Sequence, residues 1–126
     1  MKNDPSTTRI QGYHAHVYYD PATRPVVQQL ARQLWGRFPV EITGFFDRPA
    51  GPHPRANLHV SFATAEFGAV VPWLMQNRNG LDVLVHVLTE DPVRDHHADA
   101  LWLGTPLPLR MHGHRASARP ELRQSA

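Results

Sequence analysis

The run Tyr13-His14-Ala15-His16-Val17-Tyr18-Tyr19 alternates two kinds of side chain, and a chain with that alternation has few ways to bury it. In an extended strand successive side chains point to opposite faces, so Ala15, Val17 and Tyr19 share one face and His14, His16 and Tyr18 the other. The first face has to be covered by other elements. The second can carry polar chemistry at fixed separation, because neutral imidazole is the commonest protein ligand for zinc, iron, copper and nickel. With no cysteine in the 126 residues, disulfides, thiolate metal sites and cysteine nucleophiles are all excluded, and any metal is held by nitrogen and oxygen.

The remaining pattern supplies the cover. Ala22 to Phe38 places Val26, Val27, Leu30, Leu34, Trp35 and Phe38 at three- and four-residue spacing, which predicts an amphipathic helix with Trp35 and Phe38 in the core. Val40 to Phe46 reads as a second strand. The turn formers Asp47-Arg48-Pro49-Ala50-Gly51-Pro52-His53-Pro54 separate it from a third, Asn57 to Ala63, in which Leu58, Val60 and Phe62 alternate with Asn57, His59 and Ser61. Thr64 is expected to cap a second helix with the stripe Phe67, Val70, Val71, Leu74 and Met75, interrupted by Pro72 and ended by Asn77 to Gly80. Leu81 to Leu88 reads as a fourth strand, Asp91 to His97 as a polar loop with His96 and His97 in solvent, and Ala100 to Gly104 as a short closing segment. Trp73 and Trp102 are expected in the core. Two strand-helix-strand units of this kind predict an α+β domain: a ferredoxin-like βαββαβ antiparallel sheet, strand order 4-1-3-2, with both helices on one face.

Strand 1 then lies between strands 3 and 4. If Val17 and Val60 face the helices, His14, His16 and Tyr18 project from the open face with His59 and Ser61 of strand 3 and with Asp82, Leu84 and His86 of strand 4. A single strand histidine is usually a half-buried residue with a backbone hydrogen bond. Four with matching parity on three adjacent strands, about 4.8 Å apart, point to a metal or catalytic cluster. His53, in the proline-rich loop beside them, is expected to meet the substrate or support the site. A face carrying Tyr18, Leu84 and histidines is too apolar to stay bare on so small a domain, which predicts a homodimer.

Residues 1–10 read as a flexible arm, 11–110 as the folded domain and 111–126 as a disordered basic tail, poor in apolar residues, in which His112 and His114 are solvated. A formal charge of +2 with arginines spread along the chain argues against nucleic acid as a partner. No apolar run approaches the roughly 18 residues of a membrane span. The first residues lack the apolar core of a signal peptide, so a cytoplasmic location is expected.

The segments Tyr13–Tyr19, Gly51-Pro52-His53-Pro54, Leu58-His59-Val60-Ser61-Phe62, Val71–Arg78, Leu81–His86 and Ala100–Gly104, in that order from Tyr13 to Leu109, resemble the DOPA 4,5-dioxygenase family. The resemblance implies extradiol cleavage of a catechol such as DOPA by O2 at a non-haem metal. That metal would be Fe(II), with Zn or Mn as alternatives. The family's histidines fall on His14, His16, His53, His59 and His86. The mechanism expected from it has His16, His59 and His86 as metal ligands and His14 or His53 as the group that takes and returns a catechol proton. Asp82 is the only carboxylate this reading puts on the open face of strand 4, and a three-histidine site is the alternative to a histidine-carboxylate one. Two rival functions are a non-catalytic small-molecule binding or sensor module and a metal-independent enzyme using the histidines as acid and base.

Overall fold

The computed structural model describes residues 10–110. Residues 1–9 of the expected arm and the whole expected tail, with His112 and His114, lie outside the described residues. Within them the order is β1 (Gly12–Tyr19), α1 (Arg24–Arg37), β2 (Glu41–Phe46), β3 (Ala56–Phe62), a 3-10 turn (Thr64–Glu66) leading into α2 (Phe67–Asn77), β4 (Val83–Leu88), the single turn α3 (Pro92–Asp95) and β5 (Ala100–Leu103). One five-stranded sheet runs β2-β3-β1-β4-β5, every neighbour antiparallel. The first four strands take the expected 4-1-3-2 order. The closing segment adds a fifth strand, pairing Leu84 with Trp102 and His86 with Ala100.

Each boundary has a local cause. Asp20 and Thr23 bond each other reciprocally, Asp20 N–H to Thr23 Oγ1 at 2.9 Å and Thr23 N–H to Asp20 Oδ1 at 2.9 Å, turning the chain out of β1. Pro25 then sits in the first turn of α1, where no N–H is needed. The expected Thr64 cap does not form: the 3-10 turn intervenes, and α2 begins after Glu66 without a side-chain cap. Pro72 does lie inside α2.

Both helices cover one face of the sheet. Val27, Leu30, Ala31 and Leu34 of α1 and Val70, Val71 and Leu74 of α2 pack with Ala15, Val17, Tyr19, Leu58, Val60, Phe62, Val83 and Val85. Burying this many branched side chains is the main driving force for the fold, about 1.5–3 kcal/mol per residue before entropy is set against it. Phe38 and Trp73 join this core as expected, their rings edge-on at 5.9 Å. Trp35 does not: it is 71% exposed, because it lies about a third of a turn off the stripe centred on Leu30 and Leu34. Trp102 packs on the opposite face, stacked on Tyr18 at 5.8 Å.

The second face is not bare either. Tyr18 and Leu84, expected to need a partner subunit, are 1% and 0% exposed within a single chain, which removes the reason for expecting a dimer there. His53 and His96, from the loops after β2 and β4, are buried against the same face. The end of the described chain returns to the first of these loops, Arg110 N–H donating to Pro52 O at 2.7 Å. Among the described residues no helix is long and apolar enough to cross a membrane.

Candidate metal centre

The strand ladders fix the floor of the site. Register sets His16 opposite His59 on β3 and Leu84 on β4, and His14 opposite Ser61 and His86. Residues paired across antiparallel strands point the same way, so His14, His16, His59 and His86 do share a face, as their parity predicts. Two loops add a roof. In the first, the His53 N–H donates to Ala50 O at 3.0 Å, which turns the imidazole onto His16, with ring centres 4.0 Å apart. In the second, Asp91 accepts from the Arg94 N–H to start α3, and the buried Asp95 carboxylate accepts from Thr89 N–H at 2.8 Å and from Thr89 Oγ1 at 2.6 Å. Burial pushes the Asp95 carboxyl above its usual range, against the pull of those two bonds. The next residue, His96, is carried to within 4.1 Å of the His86 ring centre.

His96 was expected in solvent and is 3% exposed, whereas its neighbour His97 is exposed. A loop sequence Asp-His-His gives no sign of which imidazole turns inward. That depends on Asp95 anchoring back to Thr89, a contact between α3 and the residue that follows β4.

Outer partners set the ring tautomers. His16 Nδ1 lies 3.0 Å from Asn57 Oδ1, whose amide donates from Nδ2 to Arg55 O. His86 Nδ1 lies 2.8 Å from Val87 O, and His96 Nδ1 2.8 Å from Pro92 O. All three partners are oxygens that only accept, so each Nδ1 carries the hydrogen and each Nε2 presents its lone pair. His53 differs from these three. Its Nδ1 faces Tyr18 OH at 2.7 Å, and a hydroxyl both donates and accepts.

The consequence is sharpest between β1 and β4. His16 Nε2 and His86 Nε2 stand 3.1 Å apart, both as acceptors and neither with a hydrogen to share. No proton fills the gap at neutral pH: burial first, then neighbouring imidazoles, hold His16 and His86 well below the ordinary histidine value. Burial likewise takes His14 down to about 3, with His59, His96 and His53 adding to it, and His59 down to about 4, with His96 adding to it. Converging lone pairs in a dry site are stabilised by a cation. Two further buried nitrogens, His14 Nδ1 and His59 Nε2, have no hydrogen-bond partner among the described residues.

Two triads bring one ligand nitrogen from each residue within 4.8 Å of the others: His14, His16 and His86, and His16, His53 and His96. The donor set is all imidazole, which suits zinc, iron, copper or nickel and fits the three-histidine alternative. His59 belongs to neither triad, although its ring stacks on His16 at 4.6 Å and meets His14 edge-on at 4.2 Å. Asp82 is not part of the cluster. It precedes β4, accepts from the Thr105 N–H at 2.8 Å and lies 3.9 Å from Arg55 Nη1. Besides His96, Asn57 is a site residue the sequence did not reveal as such, and Tyr18, placed on the histidine face by its parity, meets His53 there.

Known proteins share this arrangement of chain. A model of the Dopa 4,5-dioxygenase family matches residues 13–113. The crystal structure of a protein from Nostoc punctiforme PCC 73102, described as a "putative dioxygenase", superimposes with a TM-score of 0.84 at 47% identity, over 87% of this chain and 96% of that one. An uncharacterised 21.2 kDa protein of Botryotinia fuckeliana is 38% identical over 120 residues, 84% of this chain and 65% of its own length. The DOPA 4,5-dioxygenase of Amanita muscaria is 36% identical over 63 residues, 50% of this chain and 28% of its own length. The chain thus spans less than two thirds of either of these two relatives.

Proposed function

The chain belongs to the Dopa 4,5-dioxygenase family, and from that membership and the imidazole cluster we propose that it opens the ring of a catechol such as DOPA with O2, beside the two hydroxyls. The observation that carries this reading is the 3.1 Å approach of two bare Nε2 atoms, His16 and His86, each fixed by an outer acceptor, the buried Asn57 Oδ1 for His16 and Val87 O for His86. In this reading His16, His86 and His14 hold the metal, His14 standing where the mechanism drawn from the family resemblance had His59, and the support for it is the approach of one nitrogen from each of the three within 4.8 Å of the others. His14, His16 and His86 would hold Fe(II), which when bound would supply redox chemistry and open positions for catechol oxygens and O2. Both oxygen atoms enter the ring-opened product, so no external reductant is consumed.

The chain's own residues handle the protons. His53 is the acid and base: with its Nδ1–H donating to the Tyr18 hydroxyl oxygen, its Nε2 takes a catechol proton, Tyr18 holds the resulting imidazolium in place, and the same proton is returned to the product. The other cluster rings whose Nδ1 is bonded face acceptor-only oxygens and are locked. His59, neutral and with Nε2 unpartnered among the described residues, accepts a hydrogen bond from a catechol hydroxyl. Leu84 and the Tyr18–Trp102 stack give the site an apolar wall that limits water.

The test is metal analysis of untagged protein, followed by oxygen uptake with DOPA or caffeate under ¹⁸O₂. The expected result is a bound transition metal, oxygen consumption, and two labelled atoms in a ring-opened product. Protein that binds no metal and consumes no oxygen with any catechol overturns the proposal in favour of a non-catalytic binding module. Turnover without metal favours histidine acid-base chemistry alone.

A further inference from the structure

The two histidine triads overlap in one residue, and that residue has a single nitrogen to give. His16 Nδ1 is committed to Asn57 Oδ1, which leaves only Nε2, and one lone pair serves one ion. Two ions therefore cannot occupy both triads at once. The first triad, His14, His16 and His86, is built wholly on β1 and β4. The second takes His53 and His96 from the two loops that roof the site and only His16 from the sheet.

We propose that His16, His53 and His96 form a second, loop-borne metal site that alternates with the strand site for a single ion, with His16 common to both. The proposal rests on the metal-dependent reading above and adds to it a second set of ligands and a stoichiometry. It has a structural consequence. An ion in the strand site leaves both loops held only by their own contacts, whereas an ion in the loop site ties the 47–55 loop and α3 to the sheet. It has a chemical one too. An ion on His53 Nε2 occupies the lone pair that would take the proton, while Nδ1 keeps its hydrogen and donates to Tyr18 OH, so the ring is removed from acid-base work. The loop site is thus a closed resting state and the strand site the working one.

Co(II) titration of the full chain, read by visible absorption, tests this apart from activity. The parent should bind one Co(II) per chain. His96→Ala should keep one Co(II) held by the strand site, and His14→Ala one held by the loop site, with spectra that differ from each other and bracket that of the parent. His16→Ala should weaken binding at least a hundredfold. His96→Gln and His14→Gln serve where an alanine variant fails to fold. Hydrogen exchange adds a check that needs no variant: amides of residues 89–97 should gain protection when one equivalent of Zn(II) is added to the parent. Two Co(II) per parent chain would overturn the shared site. A His96 variant identical to the parent in spectrum and affinity, with no gain of protection in the loop, would remove the loop site, and an identical His14 variant would remove the strand site. Those outcomes leave catechol cleavage standing. Failure of that reading is instead read as absent oxygen uptake in protein that shows the one-ion titration, and a parent that binds no metal overturns both.

Discussion

Acidification of the metal-free protein from pH 7 to pH 5 should remove much of its stability through the histidines alone. His16, His59 and His86 are 1%, 6% and 1% exposed, and burial holds each below the ordinary value of 6.5, His59 at about 4 and the other two well down. The unfolded chain therefore binds protons from about pH 6.5 downward while the folded chain does not. Stability depends on pH with the sign of the protons bound in the unfolded state minus those bound in the folded state, so it is full above about pH 6.5 and falls as the pH drops toward the folded values. At pH 5 each of these three sites costs about 2 kcal/mol, about 6 kcal/mol together, against a typical total of 5–15 kcal/mol. Asp47 lies outside the window, held below its usual 3.8 by Arg24 and Tyr19, whereas Asp95, raised by burial, gains stability as the pH falls and works against the histidines rather than with them. Urea unfolding followed by tryptophan fluorescence at pH 7 and pH 5 is the assay. With an m-value of about 2 kcal/mol/M the midpoint should fall by about 3 M. A midpoint that moves by less than about 0.5 M would refute the claim that these imidazoles are buried neutral.

Four further outcomes follow from the same contacts. His53→Ala should retain metal but lose about 10²- to 10⁴-fold in turnover, as metal content and oxygen uptake of one preparation will show. Asn57→Leu removes the acceptor of His16 Nδ1 and should weaken metal binding about 10- to 100-fold, measured by competition with a chromophoric chelator. Leu84→Ala hollows the fully buried position opposite His16 and should cost about 2–5 kcal/mol in urea unfolding at pH 7. Gly104→Ala puts a Cβ at φ +88°, 2.5 Å from Asp82 Oδ1 and 2.6 Å from Arg78 Nη1, and should cost about 1–3 kcal/mol in the same assay.

Local periodicity was enough to decide which residues share a face. Alternation in β1, β3 and β4 put His14, His16, His59 and His86 together, and three- and four-residue spacing placed Val27, Leu30 and Leu34 over the opposite side, because side-chain direction in a strand or helix is set by the backbone repeat alone. The absence of cysteine settled the donor atoms. Distance within that face was a different matter. Parity says that His59 and His86 point the same way as His16, but register and twist decide that His86 Nε2 comes within 3.1 Å while His59 stacks by its ring and stays out of both triads. The loops were less legible still. His96 turns inward and His97 outward only because Asp95 is anchored to Thr89, and His53 reaches His16 only because the 50–53 turn folds back over the sheet. Face is a property of each strand by itself, whereas ligand distances are properties of strands and loops packed together, and only the tertiary structure fixes those.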